Sequence, residues 1–173
     1  YADNSNFWVN DGGNWAGSAA EALIPDSQRR SEAVSDTASP AHSGSGSVRM
    51  AVSPASGGCC HLIAPRHDYY STDWSAYKWL TLWWYGHNTG VTVTFVIQTG
   101  NVNPWDSGFD CDFKDDVLDS WKKVNLNLQD PNQCRMHNLG SDLANLNKIK
   151  RIFMQVDATA LPASATSFNW YWD

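Results

Sequence analysis

The side chains whose types and spacing could do chemistry are aromatic rings and planar polar groups that the period of a β-strand would bring to one surface. In the run Lys78 to Tyr85, Trp83 and Tyr85 share a face with Trp79 and Thr81, opposite Leu80, Leu82 and Trp84, because successive strand side chains point to opposite sides. In Val91 to Gln98, the apolar set Val91, Val93, Phe95 and Ile97 opposes Thr92, Thr94, Val96 and Gln98. In Ile149 to Asp157, Ile152, Met154 and Val156 oppose Arg151, Phe153, Gln155 and Asp157. The apolar sets read as core. Trp83, Tyr85, Gln98, Arg151, Gln155 and Asp157 are therefore expected together on the outer face of one sheet.

Such a surface suits a sugar. A pyranose ring has an apolar C–H face that stacks on an aromatic plane, and a rim of hydroxyls that both donate and accept. Loops add further candidates: Tyr69, Tyr70 and Trp74 before the first run, and Trp105 after the second. The segment Asp73-Trp74-Ser75 could instead lead a buried anchor into the core.

Catalytic residues are harder to find. Glycoside hydrolysis asks for two carboxyl groups roughly 5–10 Å apart, and β-elimination for a Tyr or His beside a charge-neutralising Arg or Lys. Asp110, Asp112, Asp115, Asp116 and Asp119 crowd one segment, which reads as a solvated or calcium-binding loop. His61, His67, His87 and His137 are scattered and read as structural. The chain has no Gly-rich phosphate loop and no His-Glu-x-x-His motif. No catalytic residue is assigned, and the chain reads as a binding module and not an enzyme. A jelly-roll polysaccharide lyase or hydrolase is the alternative, and a lectin or adhesion domain would use the same stacking chemistry.

The elements that must position these groups are strands. Trp accounts for 10 of 173 residues and charged residues for only 17 %, against an average charged share near 25 %. Lys78 to Tyr85, Val91 to Gln98, Val124 to Leu128, Ile149 to Asp157 and Ser167 to Asp173 are β-branched or aromatic runs separated by Gly, Asn, Asp and Pro. Val124, Leu126 and Leu128 point inward in the third of them. Residues 1–57 are rich in Ser, Ala, Gly and Asn, with turn signals at Asp11-Gly12-Gly13 and His42 to Gly46 and a short strand at Val48 to Val52. Asp142 to Leu146 invites a helical turn. Many short strands and no repeat or linker predict one all-β domain over residues 1–173, a β-sandwich of jelly-roll, galactose-binding-like architecture.

Charge and cysteines bound the partners. The net charge of −6 comes with no basic cluster, so nucleic acid is not expected. No apolar run approaches the roughly 20 residues that span a bilayer, and a membrane is not expected either. The polar opening Tyr1-Ala2-Asp3-Asn4 reads as the start of a mature or excised domain. Cys59, Cys60, Cys111 and Cys134 lack the Cys-x-x-Cys spacing of a zinc or redox site and read as structural disulfides. A bond between the neighbours Cys59 and Cys60 would strain the backbone, so each is expected to pair with Cys111 or Cys134, in an oxidising, extracellular setting. The absence of an Asn-x-Ser/Thr sequon fits a bacterial exported protein.

One resemblance adds to this reading. The stretches Asp73-Trp74-Ser75-Ala76-Tyr77-Lys78-Trp79-Leu80-Thr81-Leu82-Trp83, Tyr85-Gly86, Trp121-Lys122-Lys123-Val124-Asn125-Leu126 and Ser167-Phe168-Asn169-Trp170-Tyr171-Trp172-Asp173 resemble the jelly-roll carbohydrate-binding modules attached to bacterial endoglucanases. His42-Ser43-Gly44-Ser45-Gly46-Ser47-Val48 is similar to their turn into an early strand. The resemblance covers most of residues 42–173 and implies a cleft for internal stretches of a β-glucan or related polysaccharide. It also implies a monomer tethered to a catalytic domain, and a structural calcium ion at Asp11, the backbone at Ser43, and Asp173. The departures are the Cys59-Cys60 pair, the long Ser/Ala-rich opening, and Trp170 and Trp172 where aliphatic residues are commoner.

Overall fold

A computed structural model describes residues 7–8, 41–43, 47–52, 61–63, 66–99, 107–138, 141–157, 161 and 168–173. For residues 7–8, 48–52, 61–63, 66–72, 157 and 168–169 it describes the backbone alone. The strands are β1 (Phe7–Trp8), β2 (Val48–Val52), β3 (His61–Ile63), β4 (Arg66–Thr72), β5 (Trp79–His87), β6 (Thr92–Gln98), β7 (Gly108–Lys114), β8 (Leu118–Asn127), β9 (Cys134–His137), β10 (Ile149–Asp157) and β11 (Phe168–Trp172). Among the described residues the only helical turn is a 3-10 turn at Leu146–Lys148, capped by the Asn145 side chain, which accepts from Asn147 N–H at 3.0 Å. It lies a little beyond the turn expected at Asp142 to Leu146.

The strands form two antiparallel sheets. The larger runs β1-β4-β10-β6-β7-β9, with β3 also pairing β10, and the smaller runs β2-β11-β5-β8. Their facing sides supply one core. From the large sheet come Val93, Phe95, Ile97, Phe109, Cys111, Phe113, Ile152, Met154 and Val156, and from the small sheet Leu82, Trp84, Val124, Leu126, Trp170 and Trp172. The period-two assignments for β5, β6, β8 and β10 therefore hold, and the chain is an all-β sandwich as expected. Trp170 and Trp172 are buried where aliphatic residues were the commoner pattern, so part of the Trp excess is core filling.

Two expectations need correction. The acid-rich segment is a loop only at Asp115 and Asp116: Phe109, Cys111 and Phe113 face the core while Asp110 and Asp112 alternate outward along β7, and Asp119 is already in β8. A strand with acidic residues on its solvent side has the same period two as one with threonines, and high charge density hid it. The second concerns the disulfides. Cys111 and Cys134 are direct cross-strand partners in β7 and β9 and are bonded to each other. Neither is available to Cys59 or Cys60, which lie outside the described residues.

Asp115 joins the sheets. It is fully buried in the connection from β7 to β8, and its carboxylate accepts from Trp84 Nε1 at 3.1 Å and from Trp170 Nε1 at 3.0 Å. The backbone N–H groups of His87 and Thr89 donate to it at 3.1 Å each, and Thr89 Oγ1 donates at 2.7 Å. This many donors around two oxygens match the acceptor-only character of a carboxylate. They draw in two indoles on β5 and β11 together with the turn that carries the chain from β5 to β6. Gly86 is glycine for the same reason: a Cβ there would collide with Asp115 Oδ1 and the Val117 carbonyl oxygen.

Candidate functional site

The residues expected on one face lie on two. Gln98, Arg151, Gln155 and Asp157 belong to β6 and β10 of the large sheet, whereas Trp83 and Tyr85 belong to β5 of the small one. A period of two tells which residues share a side of a strand, but not which sheet the strand joins, and this is where the expectation failed. Tyr70, expected in a loop, falls on β4 beside β10, and Trp105 lies in the connection between β6 and β7, outside the described residues. Trp74, the other loop candidate, packs half-buried against the core and donates its backbone N–H to Leu146 O at 2.7 Å. It is the anchor that Asp73-Trp74-Ser75 allowed for. There the hydroxyl and N–H of Ser75 hold the Asp73 carboxyl below its usual value.

On the large sheet, register aligns the outward residues in cross-strand rows. Gln155, Thr94 and Asp112 form one row; Phe153, Val96, Asp110 and Arg135 the next; Arg151, Gln98, Gly108 and His137 the third. With strands about 4.8 Å apart, the four strands β10, β6, β7 and β9 span roughly 14 Å. The polar groups are fixed by one another. Thr94 Oγ1 donates to Asp112 Oδ1 at 2.7 Å and Arg135 Nη2 to Asp112 Oδ2 at 3.0 Å. His137 Nδ1 lies 3.4 Å from Asp110 Oδ2, and Arg151 Nη1 donates to Gln98 Oε1 at 3.3 Å.

This face is open on one side and covered on the other. Phe153 and Val96 point away from the core yet are only 1 % and 4 % exposed, and Gln98 only 3 %. Over β7 and β9, by contrast, the Arg135 side chain is 61 % exposed and those of Asp110, Asp112 and His137 about a third exposed, at 30 %, 32 % and 35 %. Sequence reasoning missed these four residues as ligand candidates. Their signal was the alternation Phe109-Asp110-Cys111-Asp112-Phe113, which marks the aspartates as outward, and the partner cysteine that places β9 alongside.

The small sheet presents rings. Tyr171, Tyr85 and Trp121 are cross-strand neighbours on β11, β5 and β8, and Tyr85 meets the other two edge-to-face at 5.9 and 5.5 Å. Trp83 is covered by the imidazole of His42, stacked at 3.6 Å and 14°. His87, two residues further along β5, meets Tyr85 edge-to-face at 6.0 Å, and its Nδ1 lies 2.9 Å from Asp119 Oδ1. A bulge places Asp119 there: Gly86 pairs Ser120 and His87 pairs Leu118, leaving Asp119 as the extra residue at φ 45°.

This architecture has counterparts of known structure. The chain shares its fold with two solved carbohydrate-binding modules. One is a family 11 module from Clostridium thermocellum in complex with a β-1,3-1,4-mixed-linked tetrasaccharide, at a TM-score of 0.53 and 14 % identity over 75 % of this chain and 74 % of that one. The other is the family 11 module of the cellulosomal cellulase Lic26A-Cel5E of Clostridium thermocellum, at a TM-score of 0.51 and 12 % identity over 75 % and 72 %. No family model and no curated protein matches the sequence. The likeness shows the fold, a jelly-roll β-sandwich.

Two of the three groups expected to hold calcium meet at one corner. Ser43 donates its backbone N–H and its hydroxyl to Asp173 Oδ2, each at 2.9 Å. Asp11 lies outside the described residues, and among the described residues no cluster of three or more His, Cys, Asp or Glu could hold a metal. The corner as described is a clasp between an early turn and the last strand. Both Ser43 groups donate to the same Asp173 oxygen, which is the polarity of a hydrogen-bonded clasp and not of a cation ligand set.

Proposed function

We propose that this chain is a non-catalytic carbohydrate-binding module that takes a β-glucan or related polysaccharide across the outer face of its large sheet. The observation that carries this reading is the in-register array of Thr94, Asp110, Asp112, Arg135 and His137, open over β7 and β9. Hydroxyl rims need donors and acceptors that are already positioned, because a group held by a neighbour loses little freedom when the ligand arrives. Arg151 and Gln155, on β10 beside that array, lie toward β4, the strand that carries Tyr70. The fold shared with the tetrasaccharide complex supports the same reading.

Asp112 accepts from Thr94 and Arg135, and Asp110 lies 3.4 Å from His137 Nδ1, so both carboxylates stand among polar neighbours and can accept hydrogen bonds from a ligand. The module is read as extracellular and monomeric, and as tethered to a polysaccharide-degrading enzyme. Affinity electrophoresis on gels containing mixed-linkage β-glucan, cellulose derivative, xylan and mannan, run with a reducing-sugar assay, tests binding and cleavage together. Retardation on a β-glucan without release of reducing ends is expected. Arg135→Ala should weaken it roughly tenfold, the scale of a hydrogen bond from a charged group. Release of reducing ends, or unchanged retardation of Arg135→Ala, would overturn the reading. Calcium is proposed on the resemblance alone: a chelator should lower the melting temperature, since an ion that binds only the folded state stabilises it. An unchanged melt removes calcium from the account.

A further inference from the structure

The ring-bearing face of the small sheet plays no part in that reading, and one contact on it is informative. The His42 imidazole lies flat on Trp83, with centroids 3.6 Å apart and planes 14° from parallel, and meets Trp121 edge-on at 5.8 Å and 73°. The seat so formed takes one flat ring, with the Trp83 indole as its floor and Trp121 as a wall. Its rim is polar. Lys123 is the cross-strand partner of Trp83, and in the next row Thr81 Oγ1 donates to Asn125 Oδ1 at 2.9 Å. On the other side the Trp83 and Asp173 backbones exchange hydrogen bonds at 2.8 and 3.0 Å. His42 itself is exposed, while its neighbour Ser43 is clasped to Asp173. The turn is thus anchored through Ser43, with the imidazole beside that anchor.

We propose that this is a second glycan seat, on the opposite side of the sandwich from the polar face, in which His42 occupies the place of a pyranose ring. A sugar residue displaces the imidazole and lays its C–H face on Trp83, with Trp121 at its edge and Lys123, Asn125 and Thr81 meeting its hydroxyls. The occupant is a neutral sugar and not a protein surface, because the seat fits one ring and the positions beside it on β5 and β8 carry an ammonium, a hydroxyl and an amide. His42 acts as a built-in competitor: binding is weakened by the fraction of molecules in which the seat is already filled.

The test uses the full chain and the tetraoses of mixed-linkage β-glucan, cellulose, xylan and mannan, with isothermal titration and the indole N–H signals of the ¹H–¹⁵N spectrum as readouts. The Arg135→Ala background weakens the polar face, so the second seat can be read separately. In that background at least one tetraose should shift the Trp83 and Trp121 indole signals, and His42→Ala should strengthen its binding roughly three- to tenfold. Trp83→Leu, which keeps an apolar contact but removes the plane, should abolish it at an unchanged melting temperature. If no tetraose moves those indoles in either His42→Ala or the parent, or if His42→Ala leaves the affinity unaltered, the second seat is overturned. The polar face is judged apart from this, by the loss that Arg135→Ala causes in the otherwise native chain.

Discussion

The two outer faces of the sandwich are made by the same device and end with opposite chemistry. Both consist of the residues left over when a period of two sends alternate side chains into a common core. On the large sheet those residues are carboxylates, a guanidinium and hydroxyls that hold one another in register, Asp112 between Thr94 and Arg135 being the clearest case. On the small sheet they are rings, and the ring nearest the turn is already stacked on an imidazole from its own chain. One face presents positioned hydrogen-bonding groups to solvent, and the other satisfies part of its stacking surface internally. A face that is already half-satisfied binds more weakly than its composition suggests.

The largest expected effect removes the comparison altogether. Asp115 ties the inner indoles of the small sheet to the turn that leads into the large one, so Asp115→Ala leaves the Trp84 and Trp170 N–H groups buried without their acceptor. At about 1–3 kcal/mol for each stranded donor, the loss should be on the order of 3–5 kcal/mol. Urea unfolding measures it, and glycan binding at both faces should fall together. A change below about 1 kcal/mol would mean that Asp115 does not couple the faces. Asp115→Asn should be nearly as damaging, since its amide would turn an N–H₂ group toward groups that are themselves donors.

A smaller effect should separate the faces. The Cys111–Cys134 bond closes a sequence separation of 23 and secures β9, a four-residue strand at the sheet edge that carries Arg135 and His137. Replacing both cysteines by Ala should cost about 3 kcal/mol of stability by the loop-closure relation. Binding that depends on Arg135 should weaken, while the indole signals of Trp83 and Trp121 stay in place. If those indoles shift and polar-face binding does not, the disulfide is serving the wrong face.

How much of this was legible in the sequence follows from what a period can and cannot encode. Alternation in β5, β6, β8 and β10 put Leu82, Trp84, Val93, Ile97, Leu126 and Met154 in the core, where they are. The same alternation was present in β7 but was outvoted by its charges, since acidic residues are poor strand formers by propensity and strand pairing overrides propensity. The partition of strands between sheets is a long-range property. Gln98 and Trp83 both read as outward, and nothing local to either says that their outsides face opposite ways. The pairing of Cys111 with Cys134 is likewise a register fact, visible only once β7 and β9 are neighbours. The His42 stack is further still from sequence, because it joins a turn to a strand 41 positions on through the Ser43–Asp173 clasp.

The smallest expected effect belongs to the ring face and concerns pH. The Tyr85 hydroxyl is pushed above the ordinary tyrosine value of 10.0, chiefly by burial, then by the Asp119 charge and by Tyr171. The folded chain therefore holds that proton more tightly than the unfolded one. The stability this contributes is fully present below the unfolded value near 10, and is lost as pH rises through the higher folded value. The melting temperature should accordingly show no Tyr85-dependent change from pH 7 to 9 and a steeper fall above about 10, which Tyr85→Phe should soften. Absorbance at 295 nm should show one tyrosine titrating later than an exposed tyrosine would, and that late step should vanish in Tyr85→Phe. Asp119→Asn, which removes the charge but leaves the ring in place, should move the step part of the way back toward 10. Because burial is the larger cause, full return to 10 in Asp119→Asn would show that Tyr85 is better solvated than its row between Tyr171 and Trp121 implies.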